Sequence, residues 1–357
     1  MLTKIFRTSI LIIIFFLLFQ GLIFCNEILS HSDFLMDTYV TIQVVVSDKI
    51  IGKQVLDDAF ELIKKLDKKF NNYNPDSELS YINRNAFNST IKVDEKMLRI
   101  LEASKKIFEM SDGTFDPTVS PLVKLWNFKA EKPSVPSQSA ITNLLPLVNF
   151  NNVIIDEKNK SVNFLKNGMG IDLGAIAKGF IVDEVADFLK KRNIKSALIN
   201  AGGNIYAYGN KPDNSDWNVG LKDPRGDGII ATFPLRDCSI ATSGDYERFF
   251  IVDGKRYHHI LNPKTGYPVY ETISMSVIAK DATTADGLST AAFVIGGQKA
   301  LEFLKSLNKD DLEGIVIFPV DSSSFVGNAY MRSLKKYKIL VTERFANEIT
   351  IVKKNYY

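Results

Sequence analysis

Residues 171–208 read IDLGAIAKGFIVDEVADFLKKRNIKSALINAGGNIYAY. This stretch predicts one helix followed by two short strands. The helix spans Ile176–Arg192, because apolar side chains recur on one face and the basic residues at its end suit the helix dipole. The strands span Ala197–Ile199 and Ile205–Tyr208 and lie on either side of a Gly-Gly pair.

The segments before this stretch show the same mixture of strands and helices. The run Phe34–Val46 alternates and is rich in β-forming residues, which predicts one strand. Val55–Phe70 carries a helical apolar stripe, and Asp94 is placed to cap a further helix. Val153–Ile155 and Val162–Leu165 flank a polar turn, which predicts a hairpin.

After the stretch, Ile273–Ala279 predicts a strand, and a helix follows from about Thr284. Hairpins mixed with packed helices favour an α+β fold over a doubly wound parallel sheet. We therefore expect mixed or antiparallel sheets with helices packed against them. Residues 26–357 are predicted to form this part of the protein.

The composition describes a globular protein without a strong charge bias. Of the 357 residues, 45% are hydrophobic and 24% are charged, and the net charge is +3. A chain of this length fits one large domain or two closely packed ones. A charge this small gives no reason to expect nucleic acid as a partner.

Residues 1–25 differ from the rest of the chain. Lys4 and Arg7 precede the uncharged run Ile10–Phe24, as in an export signal. The run ends at Cys25, in a context that looks like a bacterial lipoprotein processing site. We expect an exported protein tethered to the inner membrane and facing the periplasm or the outside. Lipidation of Cys25 and an uncleaved membrane anchor are the two alternatives. With Cys238 as the only other cysteine, no disulfide framework is expected.

Four stretches, two of them within residues 171–208, are unusually rich in glycine and polar residues. Residues 171–179 place Gly174 and Gly179 where a helix begins, so that backbone groups can approach a ligand closely. Residues 200–204 hold the Gly-Gly pair, which allows a close approach or simply a bulge. The third stretch comprises residues 241–246 and 257–266, and the fourth comprises residues 283–290. The alternative for the first stretch is an ordinary tight turn between a strand and a helix.

The fourth stretch contains candidate metal ligands. On a helix, Asp286 and Thr290 are four residues apart and share one face. A carboxylate and a hydroxyl are hard oxygen ligands, and Mg²⁺ takes few protein oxygens and completes its shell with water and substrate phosphates. The alternative is that Thr284 or Asp286 caps the helix.

Two of the three histidines of the chain, His258 and His259, are adjacent in the third stretch. Neighbouring residues of a strand point to opposite faces, so at most one of them can face a given pocket. Hydroxyl side chains and turn residues surround the pair. Either histidine can therefore be structural, and one can belong to a functional site.

Read in this order, the four stretches resemble the ApbE family of flavin transferases. The resemblance extends to Met36-Asp37-Thr38, to residues 73–83 (YNPDSELSYIN) and to residues 113–119 (GTFDPTV). It implies a single α+β domain with FAD bound in a cleft. Members of the family are exported enzymes that attach FMN through a phosphoester to Thr or Ser of an extracytoplasmic flavoprotein. Some members mainly hydrolyse FAD to FMN and AMP.

The resemblance also implies roles for individual residues. The main-chain carbonyl of Ala175 and the side chains of Asp286 and Thr290 match the magnesium ligands. His259 matches the histidine placed near the reacting phosphate. The positions that match flavin contacts are Met36, Tyr73, Thr114, Phe115, Asp116, Asp172 and Lys178, and Tyr73 is expected to stack on a ligand ring.

Three positions depart from the family pattern. Asp37 stands where many relatives have glycine, and Asn262 stands where many have aspartate. Lys178 replaces an acidic residue of some members. We therefore expect a different backbone shape at Asp37, and any carboxylate role at position 262 is in doubt.

These features lead to one main functional expectation and two alternatives. The main expectation is a Mg²⁺-dependent FAD:protein FMN transferase that releases AMP, with His259 as the general base and Asp245 as a rival base. The first alternative is an FAD pyrophosphatase that uses the same site with water as acceptor. The second is a flavin-binding lipoprotein without catalytic activity.

Overall fold

The computed structural model of the protein describes residues 26–309, 311–319, 330–333, 337–343 and 345–352. The predicted export signal or anchor at residues 1–25, including Cys25, lies outside this part of the chain. Among the helices of the described ranges, none is long and apolar enough to cross a membrane.

Helices and strands alternate along the described chain. The helices are α1 Lys49–Phe70, α2 Glu78–Asn85, α3 Glu95–Met110, α4 Ser120–Trp126, α5 Gln138–Leu144, α6 Ala177–Lys191, α7 Ala282–Ile295 and α8 Gly297–Ser306. The first strands are β1 Glu27–Leu35, β2 Thr38–Val46, β3 Ile91–Lys92, β4 Val153–Asp156, β5 Ser161–Phe164, β6 Ala197–Ala201, β7 Asn204–Tyr208, β8 Trp217–Lys222 and β9 Ile229–Leu235. The remaining strands are β10 Cys238–Gly244, β11 Phe249–Val252, β12 Lys255–His258, β13 Ser274–Ala279, β14 Glu313–Pro319, β15 Tyr330–Ser333, β16 Tyr337–Val341 and β17 Thr350–Ile351.

One nine-stranded sheet organises the molecule, in the order β1-β2-β6-β7-β10-β13-β14-β16-β15. Its strand pairs are all antiparallel within the described residues. Smaller sheets are formed by β17-β9-β8, by β3-β5-β4 and by the hairpin β11-β12. The α+β architecture expected from the sequence is therefore present.

Other elements cover both faces of the large sheet. The side chains of a strand alternate between the two faces, so each strand contributes to both buried clusters. In β6, Ile199 points to the helices and Leu198 points to the small sheet β17-β9-β8. In β7, Tyr206 and Ile205 divide in the same way. Helices α6 and α7 pack on the face to which Ile199 and Tyr206 point, and they contact each other.

The predicted single strand Phe34–Val46 is wrong. The segment contains the end of β1, a turn at Met36 and Asp37, and the whole of β2. Both turn residues have a left-handed backbone, with φ of +55° and +58°. Neither is glycine, and methionine rarely adopts this conformation. The alternating apolar pattern runs through the turn, so the sequence does not reveal it.

The last predicted helix begins slightly earlier than expected. Helix α7 starts at Ala282, and the side chain of Asp281 caps it by accepting the Thr284 amide at 2.7 Å. A second carboxylate, that of Asp183 on α6, accepts the amides of Ala282 and Thr283, each at 2.8 Å. Neither Thr284 nor Asp286 caps the helix, so the Asp286 side chain is available for another role.

Candidate functional site

A cavity of about 350 Å³ lies where the β1–β2 turn, the start of α6, the end of β10 and helix α7 meet. All the residues that the resemblance assigned to flavin contact, to metal binding and to the reacting phosphate line this cavity, whereas the rival base Asp245 does not. They are Met36, Tyr73, Thr114, Phe115, Asp116, Asp172, Ala175, Lys178, His259, Asp286 and Thr290. Residues far apart in the chain, from position 36 to position 290, thus share one pocket.

Asp286 occupies the buried side of the cavity, with 4% of its surface exposed. Its Oδ2 accepts the backbone amide of Gly179 at 2.9 Å, and the Asn204 side chain also bonds it. Burial raises the pKa of the Asp286 carboxyl, whereas the Lys178 charge and these two donors oppose the rise. The carboxylate is therefore held in place at the N-terminus of α6.

Helices α6 and α7 approach so closely because residue 179 is glycine. A Cβ at this position would lie 2.2 Å from the carbonyl oxygen of Ala282 and 2.7 Å from the Cβ of Asp286. Any larger residue would push α7 away from the start of α6. The glycine therefore fixes the distance between the two elements that carry the predicted metal ligands.

Residues that carry three kinds of oxygen atom line the same cavity as Asp286. Thr290 lies one turn further along α7, and its Oγ1 is 3.2 Å from the Ser243 Oγ of β10. The third oxygen is the main-chain carbonyl of Ala175, in the turn before α6. A carboxylate, a hydroxyl and a carbonyl are ligand types that suit Mg²⁺. Within the described ranges, no cluster of three His, Cys, Asp or Glu side chains offers a competing metal site.

Asn204 supplies a further indication of a ligand near this carboxylate. The side chain is 2% exposed, and its Oδ1 has no hydrogen-bond partner among the described residues. A buried amide oxygen without a partner is costly in a protein interior. Asn204 does not line the cavity itself, but it bonds Asp286, so this unpaired oxygen lies close to the carboxylate that would hold a cation. Together with the oxygen types of the lining residues, it fits a magnesium site.

His259 follows β12 and lines the cavity. Its Nδ1 lies 3.2 Å from the carbonyl oxygen of Arg248, which can only accept a hydrogen bond. Nδ1 therefore carries the proton in the neutral ring, and Nε2 keeps its lone pair. Burial lowers the pKa of His259 to about 3, and the charges of Arg248 and Lys178 act in the same direction. A neutral imidazole of this tautomer can accept a proton.

The neighbouring His258 has a structural environment. It is 1% exposed, its Nε2 donates to the Val269 carbonyl at 2.5 Å, and its Nδ1 accepts the Ile260 amide at 3.3 Å. Both ring nitrogens are thus occupied. Of the two adjacent histidines, only His259 lines the cavity, which resolves the choice that the sequence left open.

Asp245 is poorly placed to act as the rival base. Arg225 binds its two carboxylate oxygens at 2.7 and 2.5 Å, and the residue is 6% exposed. Asp245 is not among the residues that line the cavity, although its neighbour Gly244 is. Both oxygens of this carboxylate are therefore engaged by a guanidinium, and the group does not face the cavity.

The opening of the cavity is marked by four residues that we call the rim cluster: Asp37, Tyr73, Lys129 and Arg248. Asp37 accepts Lys129 at 2.5 Å and Arg248 at 3.1 Å. These contacts hold the turn that the sequence did not reveal, and the Lys129 hydrogen bond lowers the pKa of the Asp37 carboxyl. The Lys129 ammonium also lies 4.2 Å from the centre of the Tyr73 ring.

The segment Thr114–Asp116 forms another wall of the cavity. The Asp116 carboxylate accepts the Thr118 amide at 2.8 Å and the Phe150 amide at 3.2 Å. The Thr114 hydroxyl donates to the Ser111 carbonyl at 3.0 Å, and Phe115 is 2% exposed. The polar side chains of this segment thus shape the wall by bonding to the protein itself.

Sequence reasoning missed three residues of the site, namely Lys129, Arg248 and Ser243. Lys129 and Arg248 lie in segments without a local pattern, and tertiary contacts such as those with Asp37 bring them to the cavity. Ser243 lies inside the third stretch, at residues 241–246, but was not singled out as a site residue. The alternation of side chains in a strand was the only signal that could have indicated that it faces the cavity.

Comparison with known proteins gives one consistent result. The model of the ApbE family matches residues 36–316. The FAD:protein FMN transferase of Treponema pallidum is 36% identical over 280 residues, which cover 74% of this chain and 77% of that protein. The FAD:protein FMN transferase of Klebsiella pneumoniae is 34% identical over 295 residues, which cover 82% of this chain and 90% of that protein.

A solved structure agrees with these relatives. The crystal structure of the ApbE protein from Thermotoga maritima superposes with a TM-score of 0.77 at 38% sequence identity. The superposition covers 82% of this chain and 94% of that protein. The fold is therefore shared with a protein of known structure.

Proposed function

The chain belongs to the ApbE family, and we propose on this basis that it is an FAD:protein FMN transferase with the cavity described above as its active site. The acceptor hydroxyl oxygen attacks the FMN-side phosphorus of FAD. The bond from this phosphorus to the bridging oxygen breaks, and AMP leaves with that oxygen. The product is FMN joined by a phosphoester to a Thr or Ser of an acceptor flavoprotein.

One observation carries the assignment of the site. Asp286, Thr290 and the Ala175 carbonyl line the same cavity as His259, although they come from distant parts of the chain. Oxygen ligands for a cation and a proton acceptor thus lie beside one substrate-sized space. This is the set of groups that transfer of a phosphorus-containing group requires.

Mg²⁺ is the cation that these oxygens suit best, with Asp286, Thr290 and the Ala175 carbonyl as its protein ligands. When bound, the ion would neutralise negative charge on the pyrophosphate oxygens. The protein holds Asp286 in position through Gly179 and Asn204, so the carboxylate does not have to reorganise when substrate binds.

The remaining residues of the cavity have roles in binding and in proton transfer. His259 accepts the proton of the acceptor hydroxyl at Nε2, because its Nδ1–H bonds the Arg248 carbonyl. Lys178 and Arg248 are cations that can pair with the phosphates. Tyr73, which is 55% exposed at the opening, is placed to stack on a ring of FAD.

An FAD pyrophosphatase is the alternative that the same groups permit, since water can replace the acceptor hydroxyl in the attack. A flavin-binding lipoprotein without activity is less well supported, because storage of FAD needs neither a general base nor a divalent cation. FAD, Mg²⁺ and a candidate acceptor flavoprotein should be incubated with the enzyme. Covalently bound FMN on the acceptor with release of AMP is expected. Free FMN alone would indicate a hydrolase, and intact FAD would contradict both enzymatic assignments.

The sequence of residues 1–25 supports the proposal that the enzyme is exported and tethered to the inner membrane, facing the periplasm or the outside. Lipidated Cys25 and an uncleaved anchor remain the two forms of the tether. Mass spectrometry of the mature N-terminus tests the proposal. A chain that keeps residues 1–25 but is recovered from the cytosol would contradict it.

A further inference from the structure

The hairpin β11-β12 connects two residues of the cavity. Arg248 directly precedes β11, and His259 directly follows β12. In the described part of the chain, these two strands pair only with each other. The hairpin therefore extends from the opening of the cavity and has outer edges that belong to no larger sheet.

The register shows which backbone groups of β11 point outward. Asp253 and Gly254 form a two-residue turn with positive φ, so Val252 and Lys255 are a hydrogen-bonded pair. Hydrogen-bonded and non-hydrogen-bonded pairs alternate along antiparallel strands. The His259 amide, which donates to the Arg248 carbonyl at 3.0 Å, follows this alternation.

The outward groups consequently belong to Phe249 and Ile251. Their N–H and C=O groups face away from β12, and no hydrogen bond to them is found among the described residues. Phe249 is 39% exposed and Ile251 is 60% exposed. Unpaired backbone groups beside exposed apolar side chains are the features that allow another chain to add as a strand.

The opposite face of the hairpin is well anchored. Phe250 is 8% exposed, and its ring lies 6.3 Å from that of Trp126, while Tyr257 lies 5.7 Å from the same ring. The Arg256 guanidinium lies 3.8 Å from the centre of the Phe249 ring on the outer side. The edge is therefore presented by a fixed support, which lowers the entropy lost on binding.

A second exposed edge near the cavity is less suitable. Strand β1 is the outer strand of the large sheet and ends beside Met36. There, the Asp33 carboxylate accepts the Phe34 amide at 2.8 Å. A carboxylate that occupies an edge amide is a known protection against pairing with another chain. Edge β11 has no such side chain.

We propose that the outer edge of β11 binds the acceptor flavoprotein, whose extended segment with the target Thr or Ser adds to the hairpin as a third strand. This inference rests on the proposed function. A strand advances about 3.3 Å per residue, so the segment that pairs with Ile251 reaches Arg248 after about 10 Å. The backbone bonds thus deliver the hydroxyl to the cavity opening, and the side chains that flank it can vary.

Proline at position 251 tests the proposal, because proline removes the outward N–H and is tolerated at strand edges. We expect Ile251→Pro to lower kcat/KM for a purified acceptor flavoprotein at least about tenfold, in line with the loss of one or more backbone hydrogen bonds. The Kd for FAD and the thermal unfolding midpoint should stay unchanged. Ile251→Ala keeps the N–H, and Ile50→Ala changes an exposed isoleucine away from the cavity, so both should lose less.

Hydrogen exchange provides a measurement that does not depend on any variant of the enzyme. An acceptor whose target Thr or Ser is replaced by Ala should slow exchange of the Phe249 and Ile251 amides. The amides of β1 serve as the comparison. Unchanged exchange at β11, slowing at β1 alone, or an Ile251→Pro enzyme with full activity toward the acceptor would overturn the proposal. A wild-type enzyme that transfers no FMN would instead contradict the proposed function itself.

Discussion

The backbone amide of Gly179 donates a hydrogen bond of 2.9 Å to Oδ2 of Asp286, and this bond joins the first turn of α6 to α7. The contact is possible only because residue 179 has no Cβ. One glycine thus sets both the packing of two helices and the orientation of the carboxylate in the cavity. The stability of the helix pair and the chemistry of the site are therefore coupled.

Gly179→Ala should disturb both properties. The added Cβ would lie 2.2 Å from the Ala282 carbonyl oxygen, which is backbone and cannot move alone. We expect the free energy of unfolding to fall by about 1–3 kcal/mol, as for other overpacked sites. Urea unfolding measures this loss, and AMP release from FAD measures the accompanying loss of activity. A variant with the unfolding midpoint and turnover of the wild type would show that the helices separate freely.

Asp286→Asn should remove activity while leaving the fold intact. The amide has the shape of the carboxylate and can still accept the Gly179 amide, but it lacks the charge that favours a divalent cation. Loss of several kcal/mol of charge stabilisation corresponds to a fall in FAD turnover of more than about 100-fold. AMP release should be measured with Mg²⁺ and with a chelator. Wild-type activity that persists with the chelator would contradict the metal assignment.

The sequence predicted those elements that are specified by residues close together in the chain. The period of apolar residues defined α6, and the spacing of Asp286 and Thr290 placed both on one face of α7. The β1–β2 turn was not predictable, because Met36 and Asp37 adopt their left-handed backbone without any glycine or proline as a signal. Tertiary contacts to Lys129 and Arg248 hold this turn. Such contacts between distant segments leave no pattern in one sequence, which is why Lys129 and Arg248 were missed.

Asn204→Leu should weaken the response to Mg²⁺ more than it weakens the fold. Asn204 bonds Asp286 and is buried, so its loss leaves the carboxylate less firmly oriented. Residues that orient a metal ligand typically change metal affinity about 10–100-fold. The Mg²⁺ concentration for half-maximal AMP release should rise accordingly, and excess Mg²⁺ should restore turnover.

Thr272→Val provides the matched control for this variant. Thr272 is equally buried, and its Oγ1 also has no partner among the described residues, so unlike Asn204 it does not bond Asp286. Its Mg²⁺ response should equal that of the wild type. A similar shift in both variants would mean that loss of any buried polar group has this effect, and would remove Asn204 from the site.

Tyr73→Ser should weaken FAD binding. The ring lies at the cavity opening and is held by the Lys129 ammonium at 4.2 Å, so it is oriented before the ligand arrives. Stacking of an aromatic side chain on a base is worth about 1–3 kcal/mol, so we expect Kd to rise about tenfold. Quenching of flavin fluorescence measures the Kd. Tyr81→Ser alters a tyrosine of similar exposure outside the cavity, and it should leave the Kd unchanged.

His259 should stay neutral, with its Nε2 lone pair free, over an unusually acidic range. Because burial lowers its pKa to about 3, the ring of the free enzyme stays neutral well below pH 6.5, the usual pKa of histidine. The value of kcat/KM for FAD should therefore show no acid limb near pH 6.5.

His259→Ala should lower FMN transfer about 100-fold or more, the typical contribution of a general base, whereas Asp245→Asn should spare the chemical step. The reverse result would make Asp245 the base.

The same shift predicts how stability depends on pH. Below pH 6.5 the unfolded His259 binds a proton, while the folded protein keeps this ring neutral down to about pH 3. The unfolded state thus binds more protons in this window, and the free energy of unfolding falls as the pH decreases. Burial also lowers the pKa of His258, which adds to the same trend.

The difference between wild type and His259→Gln isolates the His259 contribution, because Gln cannot titrate. The free energy of unfolding should therefore fall more between pH 7 and pH 5 for the wild type than for His259→Gln, and urea unfolding at the two pH values measures both changes. Equal slopes would mean that His259 is protonated as easily in the folded protein as in the unfolded chain, and the neutral-base assignment would then lose its physical support.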